Sequence, residues 1–317
     1  MPLLRLTNAR REHDATTQAA RKCVFHLAAE VEDAICEGSS DRLRLGGYLL
    51  FNYAVLLHFG TREFAKAFKP VTSWDDETKA SAVATAMDSR SKNVFAFTDV
   101  YSPPRLDRHC ERKTDEEARA RYMRVCRGLQ VVWEFRASLV ESALEGRSWQ
   151  HLVERFMWMT GWGGTGFLAK ELALDMVTSP LGKTYNTGGG GWTRGICRPN
   201  LWCPVGPGAR RGLNRLNSRS LDFRIKDSSP EAQEMFMRDL ISVYNQRHEQ
   251  WPDSIEGFPA GPIELHDVQF ALCEFDKFEK LRIGGQGNRR PYRFPEADVP
   301  NQCCAETSEH PSSQPAS

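Results

Sequence analysis

The sequence predicts an all-α fold, in which many helices pack into one array. Apolar residues recur at spacings of three and four along most of the chain, which is the period of a helix that buries one face. Few segments alternate with the period of two that strands show, and no internal repeat of about 20 to 50 residues is visible. Hydrophobic residues make up 40% of the 317 residues, which suffices for a folded core.

Composition divides the chain into three regions. Residues 1–89 form a helical N-terminal region that we expect to pack on the core, and residues 90–295 form the main helical domain. Residues 296–317 are rich in Ser, Pro, Gln and Glu, with little to bury, and predict a disordered tail.

The helices follow from the periodicity and from local start and stop signals. Thr114 and Glu117 have the spacing of a capping box, which predicts a helix start, and Ser229 followed by Pro230 predicts another. Gly60 interrupts a strongly apolar stretch and predicts a break there. The predicted helices cover residues 15–36, 47–68 as one buried helix or a pair, 75–87, 114–145, 148–159, 167–177, 229–244 and 268–281.

Several classes of protein are excluded or disfavoured by composition. The longest apolar run, Tyr48 to Phe59, is shorter than the roughly 20 residues of a membrane span, so we expect no membrane partner. The N-terminus has no signal-peptide pattern, and the nine cysteines form no C-x-x-C pair, so we expect free thiols in an intracellular protein, nuclear if the source is eukaryotic.

Positive charge is concentrated in one segment. Residues 183–226 hold nine basic residues and one acid, Asp222, a local charge of +8 in a chain of formal charge +1. Arginine predominates and glycines are frequent, which favours a nucleic-acid face, whereas an arginine-rich loop with acidic partners elsewhere is the alternative. The basic residues are Lys183, Arg194, Arg198, Arg210, Arg211, Arg215, Arg219, Arg224 and Lys226.

A glycine turn lies inside this segment. Gly206, Gly208 and Gly212 have the spacing of a helix-hairpin-helix element, in which a Gly-x-Gly hairpin grips one DNA backbone. The turn leads into a run compatible with a helix, whose N-terminal N–H groups and dipole bind phosphate. Arg210 and Arg211 lie close enough in sequence to add charge, so we predict phosphate binding here.

Three acids are candidates for chemistry. Asp267 at the start of the last helix either caps that helix or acts as an acid near a bound nucleotide. Glu171 and Asp175 lie four residues apart on one helix face, so they share a proton or a divalent cation or face solvent. A P-loop is rejected at Gly182-Lys183-Thr184, because Val177 occupies the position of its first glycine.

Three segments in this order resemble one family. Trp162-Gly-Gly-Thr-Gly-Phe-Leu-Ala-Lys-Glu-Leu-Ala-Leu-Asp175, Trp202 to Leu216 around the glycine turn, and Leu265 to Phe278 beginning Leu-His-Asp-Val-Gln are similar to the helical domain of 5-hydroxymethyluracil DNA kinases. They are also similar to the related α-glutamyl/putrescinyl thymine pyrophosphorylases. The resemblance covers residues 90 to 293, with a weaker match at Asn93 to Tyr101.

The resemblance implies hypermodification of thymine in DNA, where a hydroxymethyl group is phosphorylated and the resulting pyrophosphate is displaced by an amine. It implies a transferase on a 5-substituted uracil with DNA as partner, and a relation to helix-hairpin-helix glycosylases, in which Asp267 acts near the base. The nucleophilic lysine of lyase-type glycosylases is replaced by Arg210, which cannot act as an amine nucleophile.

The same resemblance implies the remaining site residues. Phosphate would be bound by the glycine turn with its arginines, namely Gly206, Gly208, Arg210, Arg211, Gly212 and Arg215. A DNA backbone or a pyrophosphate would lie on Gly163, Gly164 and Gly166. A base flipped out of the duplex would be enclosed by Trp162, Phe167 and Trp202, for each of which core packing is the alternative.

Three other functions stay open on sequence alone. A glycosylase would release the base, and a DNA-binding module would show salt-dependent affinity without product. The third is an accessory helical domain that works with a separate P-loop kinase, since this chain has no Walker A motif of its own.

Overall fold

The computed structural model describes residues 15–89, 114–144, 149–159, 162, 166–182, 202–223, 230–246 and 264–283. Within these ranges the chain forms eleven α-helices and no strand, which confirms the predicted all-α class. The helices are α1 Ala15–Cys23, α2 Phe25–Cys36, α3 Arg42–Phe59, α4 Arg62–Ala67, α5 Asp76–Asp88, α6 Asp115–Leu144, α7 Trp149–Met157, α8 Phe167–Val177, α9 Pro207–Leu216, α10 Pro230–Asn245 and α11 Leu265–Arg282. The weaker family-like stretch at 93–101 and the predicted tail at 296–317 lie outside the described residues.

The predicted start and stop signals operate as expected at two places. Gly60 adopts a left-handed conformation with φ of 54° and ends α3, and its N–H donates to the carbonyl of Leu56. Before α6, the Glu117 N–H donates to Thr114 Oγ1 over 3.3 Å and the Thr114 N–H donates to Glu117 Oε2 over 3.1 Å. These two bonds complete the capping box that the sequence predicts.

One predicted helix is divided in the structure. The helix expected over 15–36 is two helices that meet at Val24, whose ψ of 11° departs from helical geometry. The prediction of one continuous helix was therefore wrong at Val24. This side chain is fully buried, so the bend occurs where the segment packs on the core rather than at a glycine or proline.

The first hydrophobic core joins α1 to α8. Its centre is the antiparallel pair of α3 and α6, which approach closely because α3 carries two adjacent glycines. A Cβ on Gly46 would lie 2.9 Å from Val140 Cγ1, and one on Gly47 would lie 3.0 Å from Arg136 Cγ. Among the helices that the structure describes, none combines the length and hydropathy that a membrane-spanning segment requires.

The second core is smaller and joins α9, α10 and α11. Here α9 lies directly on α11, and two of its glycines face that helix. A Cβ on Gly208 would lie 2.8 Å from Cys273 Sγ, and one on Gly212 would lie only 2.4 Å from the carbonyl oxygen of Leu272. These two glycines therefore allow α9 to reach the backbone of α11.

We predict that Gly212→Ala destabilises the protein by about 1–3 kcal/mol, because the new methyl group must displace backbone atoms of α11. Gly128→Ala is the matched control, since nothing lies within 4 Å of its Cβ position inside α6. The control should stabilise the protein by about 0.5–1 kcal/mol through helix propensity. Urea unfolding of both variants checks the pair, and an unchanged midpoint for Gly212→Ala would contradict the close approach.

Candidate functional site

Three helices begin at one place in the structure. The first residues of α8, α9 and α11 adjoin one another, although they are far apart in sequence. A Cβ on Gly206, which precedes α9, would lie 3.7 Å from Phe167 Cδ2 at the start of α8 and 3.5 Å from Gln269 Nε2 in α11. We call this region the N-terminal junction; it joins residues 166–171, 202–208 and 264–270.

A buried lysine lies at the centre of the N-terminal junction. Lys170 Nζ lies 2.7 Å from Glu171 Oε1 and donates over 2.7 Å to Gln269 Oε1. Its ammonium also lies 4.0 Å from the ring centroid of Phe270. Lys170 and Glu171 are fully buried, so the charge is stabilised by these partners from α8 and α11 instead of by water.

Asp267 has the capping role that the sequence left open. Its Oδ2 accepts from the Glu264 N–H over 3.0 Å, within a reciprocal capping box at the start of α11. Its Oδ1 lies 3.5 Å from His266 Nε2, and His266 Nδ1 lies 3.7 Å from Glu264 Oε2. Because capping occupies only one carboxylate oxygen, the other oxygen faces the imidazole, at a distance longer than that of a direct hydrogen bond.

The other two predicted acids are buried. Both Glu171 and Asp175 lie in α8 with almost no exposed surface, so the solvent-facing alternative does not apply. Glu171 is paired with Lys170. Among the described residues, no group of three or more His, Cys, Asp or Glu side chains is arranged to hold a metal ion.

Cys203 lies among these charged groups. Burial raises the pKa of its thiol to about 12, and charges on Lys170, Glu171 and Asp267 are near enough to affect it. At neutral pH Cys203 is therefore a neutral thiol in the wall of the N-terminal junction, not a nucleophile. Like Cys203, the other described cysteines are free thiols: Cys23, Cys36, Cys126 and Cys273.

Of the six predicted glycines, Gly208 and Gly212 face α11, and the other four precede helices or lie outside the described residues. Gly206 is the N-cap of α9 with no side-chain cap, so the first N–H groups of α9 lack a capping side chain. Gly166 is the N-cap of α8 in a left-handed conformation with φ of 75°. Gly163 and Gly164 lie outside the described residues. The residues directly before 202, where the first helix of a helix-hairpin-helix element would lie, are outside them too.

The predicted arginines are partly ion-paired within the protein. Arg211 Nε lies 2.6 Å from Asp276 Oδ2, and Arg215 Nε lies 2.8 Å from Asp276 Oδ1. Arg219 Nη1 lies 2.5 Å from Asp239 Oδ2. Arg210 is half-buried in α9. The local charge of +8 is therefore reduced by acids that lie later in the sequence.

The three predicted aromatic residues differ in exposure. Trp162 is only 1% exposed and packs edge-on against His58 in the first core, with 4.7 Å between ring centroids. This burial favours its core-packing role. Phe167 and Trp202 are half-buried and border the N-terminal junction.

Sequence reasoning passed over Lys170, Gln269 and Asp276, which are all buried. One signal was available for the first: Lys170 and Glu171 interrupt a helix that is otherwise almost entirely apolar. A helix that is apolar all round is buried, so charges within it need internal partners. No such signal marks Gln269 or Asp276.

We predict that Lys170→Met destabilises the protein by about 3–5 kcal/mol, because it leaves the buried carboxylate of Glu171 without its cation. Adding Glu171→Gln to Lys170→Met should restore much of the lost stability, because the unpaired carboxylate charge is then removed as well. Arg44→Met, which breaks an exposed ion pair with Asp41, is the control and should change stability little. Denaturant unfolding measures all three, and equal stability of the single and double variants would refute the buried pair.

Comparison with known proteins identifies the family. The family model described as the helical domain of 5-hmdU DNA kinase matches residues 2–286, which include both hydrophobic cores and the N-terminal junction. No match was found among curated proteins or among solved structures. The family name connects the fold with modification of a base in DNA. The chain belongs to the family of the 5-hmdU DNA kinase helical domain.

Proposed function

We propose that the protein is a transferase that acts on a pyrophosphorylated 5-hydroxymethyluracil base in DNA and replaces the pyrophosphate with an amine. The observation that carries the proposal is the N-terminal junction. There, three helix starts meet beside a buried Lys170 and a His266 that lies between two carboxylates. Anion-binding groups and proton-transferring groups are the two requirements of this displacement.

The anion-binding side is formed by helix N-termini. The first turn of α9 has N–H donors and no side-chain cap, so phosphate oxygens of DNA would bind there with Arg210 and Arg211 adding charge. The start of α8 at Gly166 would bind the pyrophosphate, together with Gly163 and Gly164. Both starts carry the positive end of a helix dipole, which stabilises the leaving anion.

The proton-transferring side lies at the start of α11. The amine nitrogen would attack the exocyclic carbon on the base, and the carbon–oxygen bond would break as pyrophosphate leaves with the electron pair. The proton released from the new ammonium would pass to His266 or Asp267. Because Glu171 is paired with Lys170, Asp175 is the acid of α8 that would take the proton that an incoming ammonium must lose before its nitrogen attacks.

The base must leave the duplex for this chemistry. Phe167 and Trp202 border the N-terminal junction and would stack on the flipped base. Trp162 would support them from the first core, without touching the base.

A second candidate is an accessory helical domain that works with a separate P-loop kinase. The family description names a kinase, and the sequence carries Val177 where a Walker A motif requires its first glycine. On this alternative, phosphorylation of 5-hydroxymethyluracil would require the kinase, and this protein would present the base. Release of free base would instead indicate a glycosylase.

We predict that Asp267→Asn abolishes turnover while DNA binding and folding persist, because asparagine can still accept the capping bond from Glu264 but cannot take a proton. Asp75→Asn is the matched control, since Asp75 caps α5 by accepting from the Thr78 N–H over 2.8 Å. Nucleoside mass spectrometry of duplex DNA carrying the pyrophosphorylated base, after incubation with protein and a mixture of amines, measures turnover.

A new nucleoside mass formed by the wild type and by Asp75→Asn, but not by Asp267→Asn, would support the transferase. Product that forms only after a P-loop kinase is added to DNA carrying 5-hydroxymethyluracil would favour the accessory domain. If Asp267→Asn unfolds, its role is the cap alone.

A further inference from the structure

A single buried acid holds two arginines at the contact between α9 and α11. The side chain of Asp276 is only 4% exposed, and each of its two oxygens contacts a different arginine. Arg211 and Arg215 are one helical turn apart on α9, so Asp276 lies opposite both. Two guanidinium groups and one carboxylate leave a net charge of +1 at this place.

The contacts leave the outer part of Arg211 available. Asp276 binds Arg211 through Nε, and the Arg211 side chain is 45% exposed, whereas Arg215 is 12% exposed. The terminal nitrogens of a guanidinium held through Nε can donate to a further oxygen. Arg211 is therefore anchored by Asp276 and still reachable from solvent.

We propose that Asp276 is a positioning residue that orients Arg211 to bind a DNA phosphate. This proposal rests on the DNA partner of the proposed function, and not on its reaction. A free arginine loses much rotamer freedom when it binds phosphate, whereas one already anchored by a carboxylate loses less. Arg211 lies in the second turn of α9, after the helix start at Pro207 that the proposed function assigns to DNA phosphate.

Positioning and simple charge predict opposite results for the same substitution. Asp276→Asn removes one negative charge, so long-range attraction alone would tighten DNA binding. If Asp276 orients Arg211, the loss of the charged anchor instead weakens binding. If Asp276 only stabilised the fold, Asp276→Asn would lower the free energy of unfolding and leave the DNA affinity of the folded protein unchanged.

The test measures affinity of the full chain for a duplex oligonucleotide of about 20 base pairs at several salt concentrations. We expect Arg211→Met to weaken binding about tenfold. The slope of log K against log salt concentration should also become shallower by about one, because one phosphate contact is lost. Asp276→Asn should weaken binding about threefold to tenfold. Glu279→Gln removes an acid one turn later on α11, where it pairs with Arg282, and should leave binding equal or slightly tighter.

A double variant checks that Asp276 acts through Arg211. In the Arg211→Met background, Asp276→Asn should have no further effect on affinity, because the residue it positions is gone. Thermal unfolding confirms that each variant is folded at the assay temperature. Binding by Asp276→Asn that equals or exceeds that of the wild type overturns the proposal, as does a wild type that does not bind DNA. If Asp276→Asn binds DNA more weakly than the wild type, and the wild type forms no modified nucleoside, this proposal is supported and the proposed reaction is not.

Discussion

The burial of one lysine charge constrains how the two cores meet. Lys170 belongs to α8 of the first core, yet one of its two polar partners, Gln269, belongs to α11 of the second. An ammonium without water requires all such partners at once, and losing one leaves a charge uncompensated. The start of α11, with His266 and Asp267, is therefore fixed relative to the start of α8.

Close backbone contact completes this arrangement. Because Gly208 and Gly212 have no side chains, α9 reaches the backbone of α11, and this contact brings Gly206 next to Gln269. The start of α9 and the His266–Asp267 pair of α11 thus become neighbours through packing rather than through sequence. Asp276 adds a charged contact between the same two helices by pairing with Arg211 and Arg215.

Local rules predicted the helices well, but they did not predict which polar groups find partners inside the protein. The capping box at Thr114 and the stop at Gly60 depend on neighbouring residues and were visible in the sequence. In α11 the apolar Phe278 is exposed, whereas the polar Gln269 is buried. Its partner lies 99 residues away, and hydrophobic periodicity carries no information about such pairs.

The central claim is that the three helix starts of the N-terminal junction form the surface that contacts modified DNA. Amide hydrogen exchange, with and without a duplex carrying 5-hydroxymethyluracil, tests it most directly, because the starts of α8 and α9 have no side-chain cap, so amides in their first turns exchange rapidly when no ligand is bound. The account predicts that DNA slows exchange in the first turns of α8, α9 and α11. Protection confined to other helices, such as α2 or α5, would contradict it.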